Sequence, residues 1–198
     1  MSLAKKRIFE RLAGCAFSGE TSYPSYAHPH LGISDPRQGF KAVVEEVGGE
    51  CCFAADPTEA RILIEGLDVV RTSRLICSYV PEILAGNFDA EAKESARDCR
   101  DVGLTVVRGD LAVAENGAVW VDADRLRHRS LLFLSENLIL VVAGKTIVPD
   151  LESAYARLDF SRLRSGYFIS GPSKTADIEQ CLVVGAHGAR SLVVVIVG

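Results

Sequence analysis

Apolar and polar positions along the chain follow two periods. Phe40, Val43, Val44 and Val47 recur at three- and four-residue steps and predict an amphipathic helix from Asp35 to the Gly48-Gly49 pair. Asp35-Pro36 is a helix start, because the carboxylate caps free N–H groups and proline suits the first helical position. Asp56-Pro-Thr-Glu59 repeats the signal ahead of Ala60, Leu63, Ile64 and Leu67, and Pro149-Asp-Leu-Glu152 opens a third helix toward Leu158. Strands are predicted at Glu50–Ala55, Arg74–Cys77 and Ser191–Val197. The last is apolar throughout, as a strand buried on both faces should be. Alternating helices and strands at this spacing predict an α/β fold, a parallel, partly mixed sheet with helices on both faces.

The middle of the chain changes character. Leu111–Val121 holds two short apolar runs around Asn116-Gly117, a strong hairpin signal because both residues accept positive φ. Leu131–Leu134 and Leu138–Val142 read as strands, and the charged stretch 89–101 as a surface helix. Near the end, a strand over Tyr167–Ser170 meets a Gly171-Pro172 turn. A helix is then expected to open at Ser173–Thr175 and run over 175–186, with Ile178, Cys181, Leu182 and Gly185 on its core stripe. The first residues form an amphipathic helix with Leu3, Ile8, Phe9 and Leu12 as apolar contacts, and 14–36 has no period. The expected organisation is an appendage over 1–34, helix plus irregular loop, and one α/β domain over 35–198.

Charge and cysteine content narrow the function classes. The 198 residues carry a formal net charge of −4 with lysines and arginines dispersed, which argues against nucleic acid as a partner. No apolar run approaches the ~20 residues that span a bilayer, and the amino-terminal stretch lacks a signal-peptide core, so a cytoplasmic protein is expected. None of the six cysteines (15, 51, 52, 77, 99 and 181) falls in a C-x-x-C pair, which argues against a cluster or structural zinc held by this chain. His28 and His30 would share one side of an extended segment, but no third ligand stands nearby, and no metal site is expected.

Candidate chemistry falls in three places. The first is the Gly171-Pro-Ser-Lys-Thr175 turn. If a helix begins there, its free N–H groups and dipole favour an anion, with Ser173, Lys174 and Thr175 adding donors. The same residues also read as an N-cap, a solvated charge and, in Asp177, a first-turn acid. The second is Glu115-Asn116-Gly117. This tripeptide at a strand end resembles the loop that carries the nucleophilic glutamate of coenzyme A transferases, which implies a carboxylate that attacks an acyl thioester while Asn116 and the Gly117 N–H hold the oxyanion; equally, Glu115 is a polar residue at a hairpin tip. The third is His187-Gly188, an acid–base candidate or a histidine complementing a helix end.

Gly171-Pro-Ser-Lys-Thr-Ala-Asp-Ile-Glu179 followed by Gly185-Ala-His-Gly188 resembles the signature of the LUD domain family, the lactate utilization protein C group. Ala112–Gly117, the strand Leu138–Val142 and Ile147–Leu151 match that family in order and spacing, so the resemblance covers 37–198. It implies a Rossmann-like sheet of the ribose-phosphate isomerase and coenzyme A transferase type. It also implies a role in lactate oxidation beside iron–sulfur oxidoreductase subunits that carry the clusters, with no cofactor on this chain and a small anion such as lactate as ligand. Under the resemblance Glu115 and His187 become catalytic candidates. Asn116, Gly117, Gly171, Pro172, Ser173, Lys174, Thr175 and Asp177 become ligand-binding candidates. The chain departs from the family where it has Lys174 for a frequent arginine, Asn116-Gly117 for Thr-Gly or Ser-Gly, and Ala189 for a frequent proline. The alternative is a stand-alone transferase or isomerase using Glu115.

Overall fold

The structure, a computed structural model, describes residues 3–14, 35–161, 165–178, 181–185 and 188–198. The chain divides into two compact units, Met1–His30 and Leu31–Gly198. The first contains α1 (Leu3–Gly14), on which Leu3, Ile8, Phe9 and Leu12 are all exposed.

In the second unit, α2 (Pro36–Glu46) begins where Asp35 accepts N–H groups of Arg37 and Gln38. It leads into β1 (Glu50–Ala54), then α3 (Pro57–Gly66), α4 (Asp68–Thr72), β2 (Ile76–Ser78) and β3 (Leu104–Gly109). The hairpin β4 (Leu111–Val113) and β5 (Ala118–Asp122) follows, then α5 (Leu131–Leu134), β6 (Asn137–Ala143), β7 (Ile147–Val148) and α6 (Leu151–Arg157). The chain closes with β8 (Gly166–Ile169), β9 (Lys174–Ile178), β10 (Cys181–Val184) and β11 (Ser191–Val197).

The central sheet is parallel, in the order β1-β11-β6-β3-β2. Period-two burial sorts the adjacent inner strands β6 and β11 cleanly. Leu138, Leu140 and Val142 of β6 share one face with Leu192, Val194 and Ile196 of β11, against Phe40 and Val44 of α2. Ile139, Val141, Val193 and Val195 fill the other face with Ala60 and Ile64 of α3. A second, mixed sheet in the order β7-β4-β5-β8 stacks on the α2 face, and Ala112, Val119 and Val121 join that core. Its outer side packs Trp120 and Phe168 under α6.

Each helix start expected from an Asp-Pro or Pro-Asp pair is present. Asp56 accepts from Thr58 N at 2.7 Å and Glu59 N at 2.9 Å, while Glu59 accepts from Ala55 N at 2.7 Å. Asp56→Ala should therefore cost about 1 kcal/mol, read as a lower urea midpoint at unchanged slope.

Three local expectations are corrected. The 175–186 helix is an antiparallel pair, β9 with β10, irregular between Cys181 and Val183. A short stretch with Ile178, Cys181, Leu182 and Gly185 fits a helical stripe, but Thr175, Ile178, Val183 and Val184 are β-branched and suit a pleated chain. Leu131–Leu134 is one helical turn rather than a strand, burying Leu131 and Leu132 and exposing Phe133 and Leu134. Residues 89–101 hold only a 3-10 turn, Ala96–Cys99, closed by a Ser95–Asp98 capping box, and bury Ala90 and Cys99.

Candidate functional site

A groove of about 520 Å³ opens at the amino ends of the central strands. Leu138 and Leu192, each the second residue of its strand, form the floor. One wall is β8 with the Ser170–Lys174 turn, another is Leu132 and Phe133 of α5, and Val47 beyond α2 closes an end. The location is notable because open parallel sheets usually bind ligands at the carboxyl ends of their strands. There, Gly144 lies so close to the Gly198 carbonyl that a Cβ would sit 2.1 Å from it.

The turn is built by tight backbone packing. Gly171 has φ +68°, and a Cβ there would meet the Val47 carbonyl at 2.8 Å. Both the dihedral and the close approach require glycine. Ser173 N donates to Ala189 O at 2.8 Å, and Gly185 N donates to Ser173 O at 2.8 Å. These bonds clamp the turn to the segment entering β11. Pro172 is buried and Lys174 exposed. Since no helix starts at Ser173, no helix dipole serves an anion here, and the Ser173 N–H is already committed. Among the described side chains lining the groove, the donors left are the Lys174 ammonium and the Ser173 hydroxyl, because Ser170 Oγ donates to the Asn116 carbonyl. Lys174 is the only charged residue among the described ones lining the groove. Its Nζ stands 3.3 Å from where a Gly48 Cβ would be, beside the carboxyl end of α2, the negative end of that helix's dipole, which favours a cation.

The Glu115-Asn116-Gly117 tip lies next to this turn but is occupied with structural bonds. Glu115 Oε2 accepts the Leu151 N–H at 3.0 Å at the start of α6, and its own N–H donates to Pro149 O at 3.0 Å. Asn116 Oδ1 accepts from Ala118 N at 3.0 Å, and the Asn116 carbonyl accepts the Ser170 hydroxyl at 2.7 Å. Gly117, with φ +63°, packs on Val43 and Val44 of α2. The tip thus ties the turn, α2 and α6 together, and neither Glu115 nor Asn116 lines the groove. Thr175 and Asp177 are placed on β9. His187 lies outside the described residues, as do His28 and His30. Among the described residues no group of three or more His, Cys, Asp or Glu could hold a metal, and no helix is long and apolar enough to cross a membrane.

Sequence reasoning missed the apolar walls. Phe133, Leu132 and Phe168 come from segments far apart in the chain, and only the odd exposure of Phe133, at 43 %, marks one of them.

Fold and groove together define a Rossmann-like α/β protein with an added mixed sheet and a cleft between the two sheets. The crystal structure of a DUF162 family protein from Deinococcus radiodurans at 1.70 Å resolution has the same fold, with a TM-score of 0.58 at 20 % identity over 85 % of this chain and 99 % of that one. Residues 78–197 match the LUD domain, and the chain belongs to the LUD domain family. It is 38 % identical over 110 residues to lactate utilization protein C 1 of Bacillus mycoides (strain KBAB4), covering 52 % of this chain and 46 % of that protein. It is 35 % identical over 126 residues to lactate utilization protein C of Geobacillus sp. (strain WCH70), covering 60 % and 49 %. The matches thus span about half the length of these curated relatives.

Proposed function

We propose that this chain serves in lactate utilization as a carboxylate-binding subunit, with Lys174 and the Ser173 hydroxyl holding the anion at one end of the groove. Electrons would pass to iron–sulfur oxidoreductase subunits that carry the clusters, in the cytoplasm, and this chain would contribute binding and no redox centre. The observation that carries the reading is a single ammonium among the described residues that line the groove. The shared family with proteins named for lactate utilization supports lactate as the ligand. Lysine acts there as a point charge, since its head cannot make the planar two-pronged contact of an arginine.

Lys174→Ala tests this. Lactate affinity, measured by titration calorimetry, should fall about tenfold, the value of one charge-assisted bond. Stability should fall by no more than about 0.3–1 kcal/mol, for the lost cation at the end of α2. Lactate binding that survives the substitution unchanged removes the site.

A further inference from the structure

The groove follows the one open edge that β8 leaves among the described residues, and the backbone there is set for pairing. Asp110 N donates to Trp120 O at 2.9 Å, so the Trp120 backbone points to β4. Its neighbours Val119 and Val121 therefore point the other way, to Ile169 and Tyr167 of β8. Ala123 N donating to Ser165 O at 3.1 Å continues that ladder. By the alternation of an antiparallel pair, the N–H and C=O of Phe168 face away from β5. No strand among the described residues lies on that side. Phe168 and Ile169, on opposite faces of β8, both line the groove, as they would only if it wraps the strand edge. Unpaired edges are templates for another chain.

We propose that the groove docks an extended segment of a partner protein, added antiparallel or parallel as a fifth strand on β8, with a carboxylate of that segment at Lys174. This rests on the carboxylate reading of Lys174 above and names what bears the carboxylate. A cavity of about 520 Å³ is the size that holds drug-sized ligands, far larger than a three-carbon acid requires. Its walls carry Leu132, Phe133 and Phe168, so side chains alternating along an added strand find apolar contacts while its backbone bonds Phe168. A second copy of this chain is the competing occupant; the apolar walls and the ammonium favour a segment that carries its own carboxylate.

The test uses the full chain labelled with ¹⁵N and three synthetic heptapeptides. They carry Val, Leu or Phe at alternate positions, Thr between, and a free terminal carboxylate. Control peptides are amidated at the carboxyl end or N-methylated at alternate residues. For at least one peptide, amide exchange at Phe168 should slow about tenfold or more at saturation, and N-methylation of one set of alternate residues should weaken binding about tenfold. Amidation should weaken it to the level seen with Lys174→Ala. Lactate bound with no peptide bound overturns the proposal while leaving the carboxylate reading intact. So does peptide binding that leaves Phe168 exchange unchanged. Binding by N-methylated and plain peptides alike overturns strand addition. A dimer that protects Phe168 without peptide assigns the edge to a second copy and also overturns it. Peptide binding with Phe168 protection but no effect of Lys174→Ala removes the carboxylate contact and with it the proposal as stated.

Discussion

Phe40→Ala is expected to destabilise the protein by about 3–5 kcal/mol, the range for truncating a buried phenylalanine. Phe40 is fully buried on α2, in one cluster with Val44, Leu140 and Val194 of the central-sheet side and Val119 of the second sheet. The site has little freedom to collapse. Asp35 holds the amino end of α2, and at the carboxyl end Gly49 N donates to Val44 O at 2.8 Å just before β1 begins. A cavity left by the ring would persist, adding its own term to the lost transfer free energy. Domains of this kind have only about 5–15 kcal/mol in total, so the loss is a large share. Urea unfolding followed through Trp120, the single tryptophan, measures it directly. Ile62→Ala is the matched control: Ile62 is 65 % exposed on α3, and its loss should stay within about 0.5 kcal/mol. Equal losses in the two variants would take Phe40 out of the core.

Stability should also fall steeply as pH rises from 9 toward 12. Burial pushes the Cys51 thiol from 9.0 up to about 12 and the Cys77 thiol up to about 11. Tyr79, beside Cys77, is pushed upward by burial as well. In the unfolded chain these thiols lose protons near the ordinary value, whereas the native state keeps them. The native state then binds more protons, so stability declines with rising pH. The contribution is fully present below about pH 9 and is lost through the folded values. At pH 11 the loss is on the order of 2–3 kcal/mol per thiol. Lys41, which donates to the Cys51 carbonyl at 2.8 Å, is raised by its hydrogen bond with Glu45 and shifts in the same direction. Urea midpoints from pH 7 to 11 for the native chain and for Cys51→Ala would separate the thiol from the rest. A variant whose midpoints keep the native slope would mean that Cys51 ionises freely in the fold.

Local signals carried the elements whose ends are capped and whose apolar period is long. α2 and α3 were legible from Asp35-Pro36 and Asp56-Pro57, β11 from its unbroken apolar run, and the β4–β5 hairpin from Asn116-Gly117. Short apolar runs were not legible. Four residues such as Leu131–Leu134 bury two side chains equally well as one helical turn or as a strand, and only the available neighbours decide. The stretch over 174–184 fits both a helical stripe and a hairpin, and the pairing of β9 with β10 settles it through bonds distant in sequence.

The candidate site divides the same way. Gly117 and Gly171 were readable as turn residues, because positive φ is a property of the residue itself. That Glu115 would be held by the Leu151 N–H, with Ser170 bonded to the Asn116 carbonyl, depends on where α6 and β8 come to rest. So does the groove. Lys174 was visible as a charge in a turn, but the apolar residues that line the same groove, Leu132, Phe133 and Phe168, come from two separate segments. The sequence by itself determined the α/β class, the capped helices, the buried strands and the family. Tertiary structure alone decided the second sheet, its open edge and the groove, because those arise from contacts between segments whose local preferences do not encode one another.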